Sequence, residues 1–331
     1  MIVAHHYVVN SGLTQYMDEH PLTKASWFYY IFGMWGKTGI NCFVLITGYF
    51  MCKSEITLRK FLKLLLEVMF YNFVIDCVFL LFGYSTLSLK LIKHMICPIW
   101  SVSDGFTSCY LLFFLLIPFL NVLIRGMGEM LHRNLLLLTL SIYTLMGSTG
   151  LIEVKMNYVS WFSVLYLLGS YIRLYEPKWL SQISNLGGVI LALLVAIGSV
   201  VVLLLFHRHN YYFFVSDSNK ILAVFVSTVL FNYFRRIRMP YSRWINIIAS
   251  STFGVLLIHA NSDRMRRWIW RDVVDCVGHY DTAFYPLYAV GAVIMIFLVC
   301  VTIDQIRIHT VEKWFFQWYD RTFQSSRRLH F

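Results

Sequence analysis

Leu186-Gly-Gly-Val-Ile-Leu-Ala-Leu-Leu-Val-Ala-Ile-Gly-Ser-Val-Val-Val-Leu-Leu-Leu205-Phe206 contains no charged residue. A helix needs about 20 apolar residues to cross the hydrocarbon of a bilayer, and this stretch supplies them. Comparable runs lie near residues 28–50, 61–83, 107–124, 134–150, 157–174, 219–234, 244–260 and 284–303, with a partial one at 1–11. The expected fold is all-α: a polytopic membrane bundle of about ten transmembrane helices. It forms one integral-membrane domain over residues 1–331. The first helix is expected to be truncated, because the polar Asn10-Ser11-Gly12 follows too soon after Met1. The ten-residue alternation of a membrane β-barrel is absent.

Composition points the same way. Hydrophobic residues make up 58% of the chain and charged residues 14%. Soluble domains carry about 25% charged residues, so these few charges cannot cover a water-facing surface. Aromatic content of 18% suits Trp and Tyr belts at the two interfaces. No basic region precedes the first apolar run, so no signal peptide is read. The net charge of +11 does not indicate a nucleic-acid partner, because the cations sit in short loops between apolar runs. None of the seven cysteines forms a C-x-x-C pair, and no metal site or bound cofactor is expected.

The loops alternate in charge. One set carries 17 of the 28 basic residues, among them Lys53, Arg59, Lys60, Lys63, Arg125, Arg133, Arg173, Lys178, Arg235, Arg236, Arg238, Arg243, Arg307, Lys313, Arg321, Arg327 and Arg328. The richer set belongs on the cytoplasmic side, which places both termini inside. One outward loop dissents with Arg264, Arg266, Arg267 and Arg271 beside Trp268 and Trp270. It reads as an interfacial helix with snorkelling arginines, or as an anion-binding surface. The segment Trp314-Phe-Phe-Gln-Trp318-Tyr319 reads as a second interfacial helix. Gly33, Gly36 and Gly39 recur every three residues and permit close helix approach.

Ionisable groups inside the spans are the site candidates, since each is costly in hydrocarbon. His5 and His6, in Met1-Ile-Val-Ala-His5-His6-Tyr7, come first, because imidazole titrates near working pH. Neighbouring helical residues point about 100° apart, so only one of the two faces a given cavity well. Glu67 and Asp76 lie on the third run, where Asp76 is placed to pair with a His or with a nearby hydroxyl. His259 closes the ninth run at its outer boundary. Arg59, Lys60 and Lys63 open the third run from inside. They either anchor the helix or bind the phosphates of a cytosolic ligand. Walker A, G-x-G-x-x-G, H-E-x-x-H and G-x-S-x-G motifs are all missing.

Taken in order, these segments resemble the acyltransferase 3 family of multi-pass bacterial membrane proteins. Ile2-Val-Ala-His-His-Tyr7 is similar to the family's first-helix motif, in which an Arg stands eleven positions before a catalytic His. Here that Arg would fall upstream of Met1. Gly36-Lys-Thr-Gly-Ile-Asn-Cys-Phe-Val-Leu-Ile-Thr47-Gly48-Tyr49-Phe50 resembles the second helix, with Thr47 in place of Ser. Lys60-x-x-Lys63 resembles a basic step. Tyr110 through Asn121, Asn157 through Tyr175, and Phe253 through His259 resemble later segments. Leu256 and Cys109 stand where the family often carries aromatics.

The resemblance implies an enzyme of the cytoplasmic membrane that acylates a hydroxyl of an envelope polysaccharide or lipid-linked sugar. The donor it implies is acyl-CoA, usually acetyl-CoA, with its phosphates on Lys60, Lys63 and Arg59. His6 is implied as the general base and His5 as second choice, with Thr47, Tyr49, Asp76 and His259 as further candidates. The bilayer is a partner throughout. A flippase of lipid-linked glycans and an inactive truncated transferase are the alternative readings.

Overall fold

Apolar runs free of breakers satisfy their backbone internally only as helices, and this chain obeys that constraint. A computed structural model describes residues 1–99, 102, 105–206 and 210–323. Its helices are, in chain order, α1 (Ile2–Val9), α2 (Leu13–Glu19), α3 (Lys24–Gly33), α4 (Gly36–Met51), α5 (Leu58–Leu81), α6 (Leu89–Ile96), α7 (Phe106–Gly126), α8 (Glu129–Leu140), α9 (Gly147–Thr149), α10 (Tyr158–Tyr175), α11 (Lys178–Ile183), α12 (Leu186–Leu205), α13 (Ile221–Arg236), α14 (Arg243–Ser250), α15 (Thr252–His259), α16 (Asp263–Arg267), α17 (Tyr285–Arg307) and α18 (Lys313–Thr322). Among the described residues there is no strand, as the all-α expectation required.

The membrane bundle is borne out, with fewer self-evident spans than the expected ten. Among the described residues four helices are long and apolar enough to cross a membrane: α5, α7, α12 and the continuous Tyr285–Thr322. A fifth arises if Arg243–His259 and Asp263–Val273, bent by 94° at the break between them, count together. The other apolar runs fall short for local reasons. The run at 28–50 is split at Met34–Trp35 into α3 and the 16-residue α4. The run at 244–260 is divided by a turn at Ser251. α10 has the length, at 18 residues, but its Ser and Tyr side chains and Arg173 lower its mean hydropathy, and it is packed inside the bundle, where Trp161, Phe162, Leu165 and Tyr166 are fully buried. The aromatic tail is also not a separate interfacial helix. A π-helical turn at Ile308–Glu312 joins α18 to α17, so the helix runs on past the membrane length. Arg327 and Arg328 lie outside the described residues.

α4 and α10 cross at the centre. At Gly48 an added Cβ would come within 2.8 Å of the Tyr166 carbonyl, and at Gly169 within 2.6 Å of the Leu45 carbonyl. Backbones this close forgo side chains and gain dispersion contact, which drives helix association in lipid. Polar side chains bond between helices. Trp161 Nε1 donates to Asn41 Oδ1 at 3.1 Å, and Asn41 Nδ2 donates to the Ser218 carbonyl at 2.7 Å. Tyr166 donates to Asn121 Oδ1 at 2.7 Å, and Asn121 Nδ2 donates to the Met51 carbonyl at 3.1 Å.

The three-residue glycine stripe seats α1. An added Cβ at Gly33 would meet Val8 at 2.8 Å, and one at Gly39 would meet Ile2 at 2.9 Å. At Gly36 it would overlap the His5 ring well inside van der Waals contact. α1 also packs on α17 and α15. Gly36→Ala is therefore expected to lift α1 off its seat. The expected loss is about 1–3 kcal/mol, the range for overpacking a tight interior. Thermal unfolding of the detergent-solubilised protein measures it.

Candidate active site

α1 brings His5 and His6 into the bundle, and they take different directions. His5 Nδ1 lies 2.6 Å from the Gly33 carbonyl, so the ring donates there and is used in seating α1. His6 faces the end of α15, where its Nδ1 lies 2.9 Å from His259 Nε2. The 253 positions between them make this a contact of the folded state alone.

Hydrogen positions in the pair follow from the network. His259 Nδ1 lies 2.5 Å from the Val255 carbonyl, one turn back on α15. A carbonyl only accepts, so His259 Nδ1 carries the proton. In a neutral ring His259 Nε2 then holds a lone pair and accepts from His6 Nδ1. That leaves the lone pair of His6 on Nε2. The second imidazole thus fixes the tautomer of the first, as a carboxylate does in a hydrolase triad.

The break after α15 supplies the wall. His259 is 1% exposed, and its ring meets Trp270 edge-on at 6.4 Å between centroids. Trp270 is fully buried rather than lying in an interfacial belt, and Tyr7 packs on it at 5.7 Å. Tyr29 and Phe32 close the aromatic shell around Tyr7.

The other sequence candidates lie elsewhere. Thr47 donates to the Phe43 carbonyl at 3.2 Å and shares a hydrogen bond with Tyr110 at 3.0 Å. The Tyr49 hydroxyl accepts from Arg173 Nη1 at 2.7 Å, with the Arg173 guanidinium over its ring. Arg59 makes a two-pronged contact to Asp320 at 3.1 and 3.2 Å. Lys60 donates to Ser54 Oγ at 2.6 Å and the Glu55 carbonyl at 2.7 Å. Lys63 pairs with Glu312 at 2.7 Å. These three cations cluster where α5 begins and already hold protein partners, and Arg59 and Lys63 remain about half exposed. Asp76 does pair with an imidazole, but that of His94, at 2.6 Å. Among the described residues no group of His, Cys, Asp and Glu is arranged to hold a metal ion.

Residues 1–305 match the acyltransferase 3 family, described as an acyltransferase domain. The chain belongs to that family. The match takes in α1 through most of α17 and therefore every part of the His6–His259 site. No curated protein and no solved structure matches the chain. Within this acyltransferase 3 chain, sequence reading missed three features. They are His259 as the direct partner of His6, His94 as the partner of Asp76, and a buried ionic cluster on Arg307. Only the last left a local signal, Asp304 and Arg307 three residues apart in an apolar run.

Proposed function

We propose that this chain is an integral-membrane O-acyltransferase. It moves an acetyl group from acetyl-CoA to a hydroxyl of an envelope polysaccharide or lipid-linked sugar. The observation that carries the reading is the tautomer-locked His6–His259 pair inside a chain of the acyltransferase 3 family. His6 Nε2 takes the proton of the acceptor hydroxyl as its oxygen attacks the thioester carbonyl. The C–S bond breaks, and the departing thiolate takes that proton back from the imidazolium. The products are an acetyl ester and free CoA.

The donor binds from the cytosol, its phosphates meeting Arg59, Lys60 and Lys63 at the start of α5. Lys63 has three donors and gives one to Glu312, so it retains capacity for an anion. The chain sits in the cytoplasmic membrane as one domain with both termini inside, following the excess of cations in that set of loops. In this reading the shorter helices α4, α8, α10 and α13 complete the bundle of about ten crossings. The test uses the purified protein in liposomes with [14C]acetyl-CoA and envelope glycan de-esterified by mild alkali. Alkali-labile label should appear in the glycan. Movement of lipid-linked glycan without any labelling would support the flippase reading instead.

A further inference from the structure

Asp76 and His94 form a carboxylate–imidazole pair that the proposed chemistry leaves unused. α6 folds back along α5, and its last turn carries His94 over Asp76. The Asp76 side chain is 2% exposed and the His94 side chain 33%. The ionised carboxylate only accepts, so His94 Nδ1 donates to Asp76 Oδ2 at 2.6 Å. When that ring is neutral, its Nε2 holds the lone pair, on a side chain that is partly open to the surface.

The pair belongs to a frame that reaches the His6–His259 site. Asn72, one turn before Asp76 and buried, donates through Nδ2 to the His94 carbonyl at 3.1 Å. Asn261, two residues beyond His259, donates through Nδ2 to Asn72 Oδ1 at 3.0 Å. Its own Oδ1 is buried without a hydrogen-bond partner among the described residues. A buried acceptor left unpaired costs about 1–3 kcal/mol, which a bound donor relieves. Among the described residues the frame therefore holds two acceptors without a protein donor, His94 Nε2 in the last turn of α6 and Asn261 Oδ1 at the break after His259. Their complement is a molecule rich in hydroxyl donors.

Resting on the acyltransferase reading, we infer that His94, Asp76 and Asn261 form a binding subsite for the hydroxyls of a sugar acceptor, with Asp76 fixing the His94 tautomer. The subsite holds sugar hydroxyls other than the one that reacts. It makes no contact with the donor.

Steady-state transfer separates the two substrates. With [14C]acetyl-CoA and alkali-de-esterified envelope glycan, His94→Phe should raise the KM for glycan about three- to tenfold, the worth of one hydrogen bond. The KM for acetyl-CoA and kcat should stay near wild type. Asp76→Asn gives an independent check. Its amide holds the His94 ring less tightly than the carboxylate does, so the glycan KM should rise again, by less than in His94→Phe. Wild-type glycan KM in both variants overturns the subsite and leaves the acyltransferase reading standing. Equal rises in both KM values reveal a purely structural role and also overturn it. Failure of the wild type to label glycan overturns the acyltransferase reading, and the subsite with it.

Discussion

In the proposed transfer, His6→Ala is expected to lower the rate by about 10²- to 10⁴-fold, the usual contribution of a positioned general base. Acetyl-CoA binding should persist, because the cations proposed to meet its phosphates lie at the start of α5 and not beside α1. His259→Ala should fall between wild type and His6→Ala, since it removes tautomer control but leaves a base in place. The double variant should be no worse than His6→Ala alone, as groups that act as one unit are strongly non-additive. Single-turnover transfer of [14C]acetyl from acetyl-CoA measures all three. Full activity in His6→Ala would remove His6 from the chemistry.

The second large effect concerns stability. Arg307 is 5% exposed and sits among three carboxylates: Asp304 at 2.8 Å, Glu312 at 2.9 Å and Glu67 at 3.1 Å. Tyr71 donates to Asp304 Oδ1 at 2.7 Å. Asp304 is fully buried and packs so tightly on Gly254 that no larger residue fits there. One guanidinium thus ties α5 to α17, and through Gly254 to α15, the helix that ends in His259. Arg307→Ala strands buried carboxylates, which costs about 3–5 kcal/mol. Thermal unfolding in detergent should show a large drop and little folded protein. Adding Glu67→Gln and Asp304→Asn should recover much of it, because the stranded charges are then gone. Arg307→Lys should rescue poorly, because an ammonium cannot match three carboxylates as a planar fork does.

How much of this was legible in the sequence varies by residue. The helical class followed from uncharged runs such as 186–206, and α12 forms there with Asn185 capping Gly188 at 2.9 Å. The glycine stripe of residues 33, 36 and 39 signalled close packing, and α1 lies on it. The number of crossings was not legible. Apolar content alone does not separate a lipid-facing helix from one such as α10 that is buried in protein. The end of the helix at His259 was legible, but the 94° bend into Asp263–Val273 was not, because Ala260-Asn261-Ser262 carries no Gly or Pro to announce it. The partners of His6 and Asp76 also stayed hidden. His259 is 253 residues from the one, and His94 lies on a short amphipathic helix read as loop.

The imidazole pair ends in a cul-de-sac. A proton received by His6 meets His259, whose far nitrogen already gives its hydrogen to the Val255 carbonyl, a group that cannot relay one onward. Whatever His6 captures must therefore leave from the nitrogen that received it, Nε2. In the proposed chemistry the CoA thiolate is the taker, so proton traffic stays among the reacting groups and none is lost into the helices behind them.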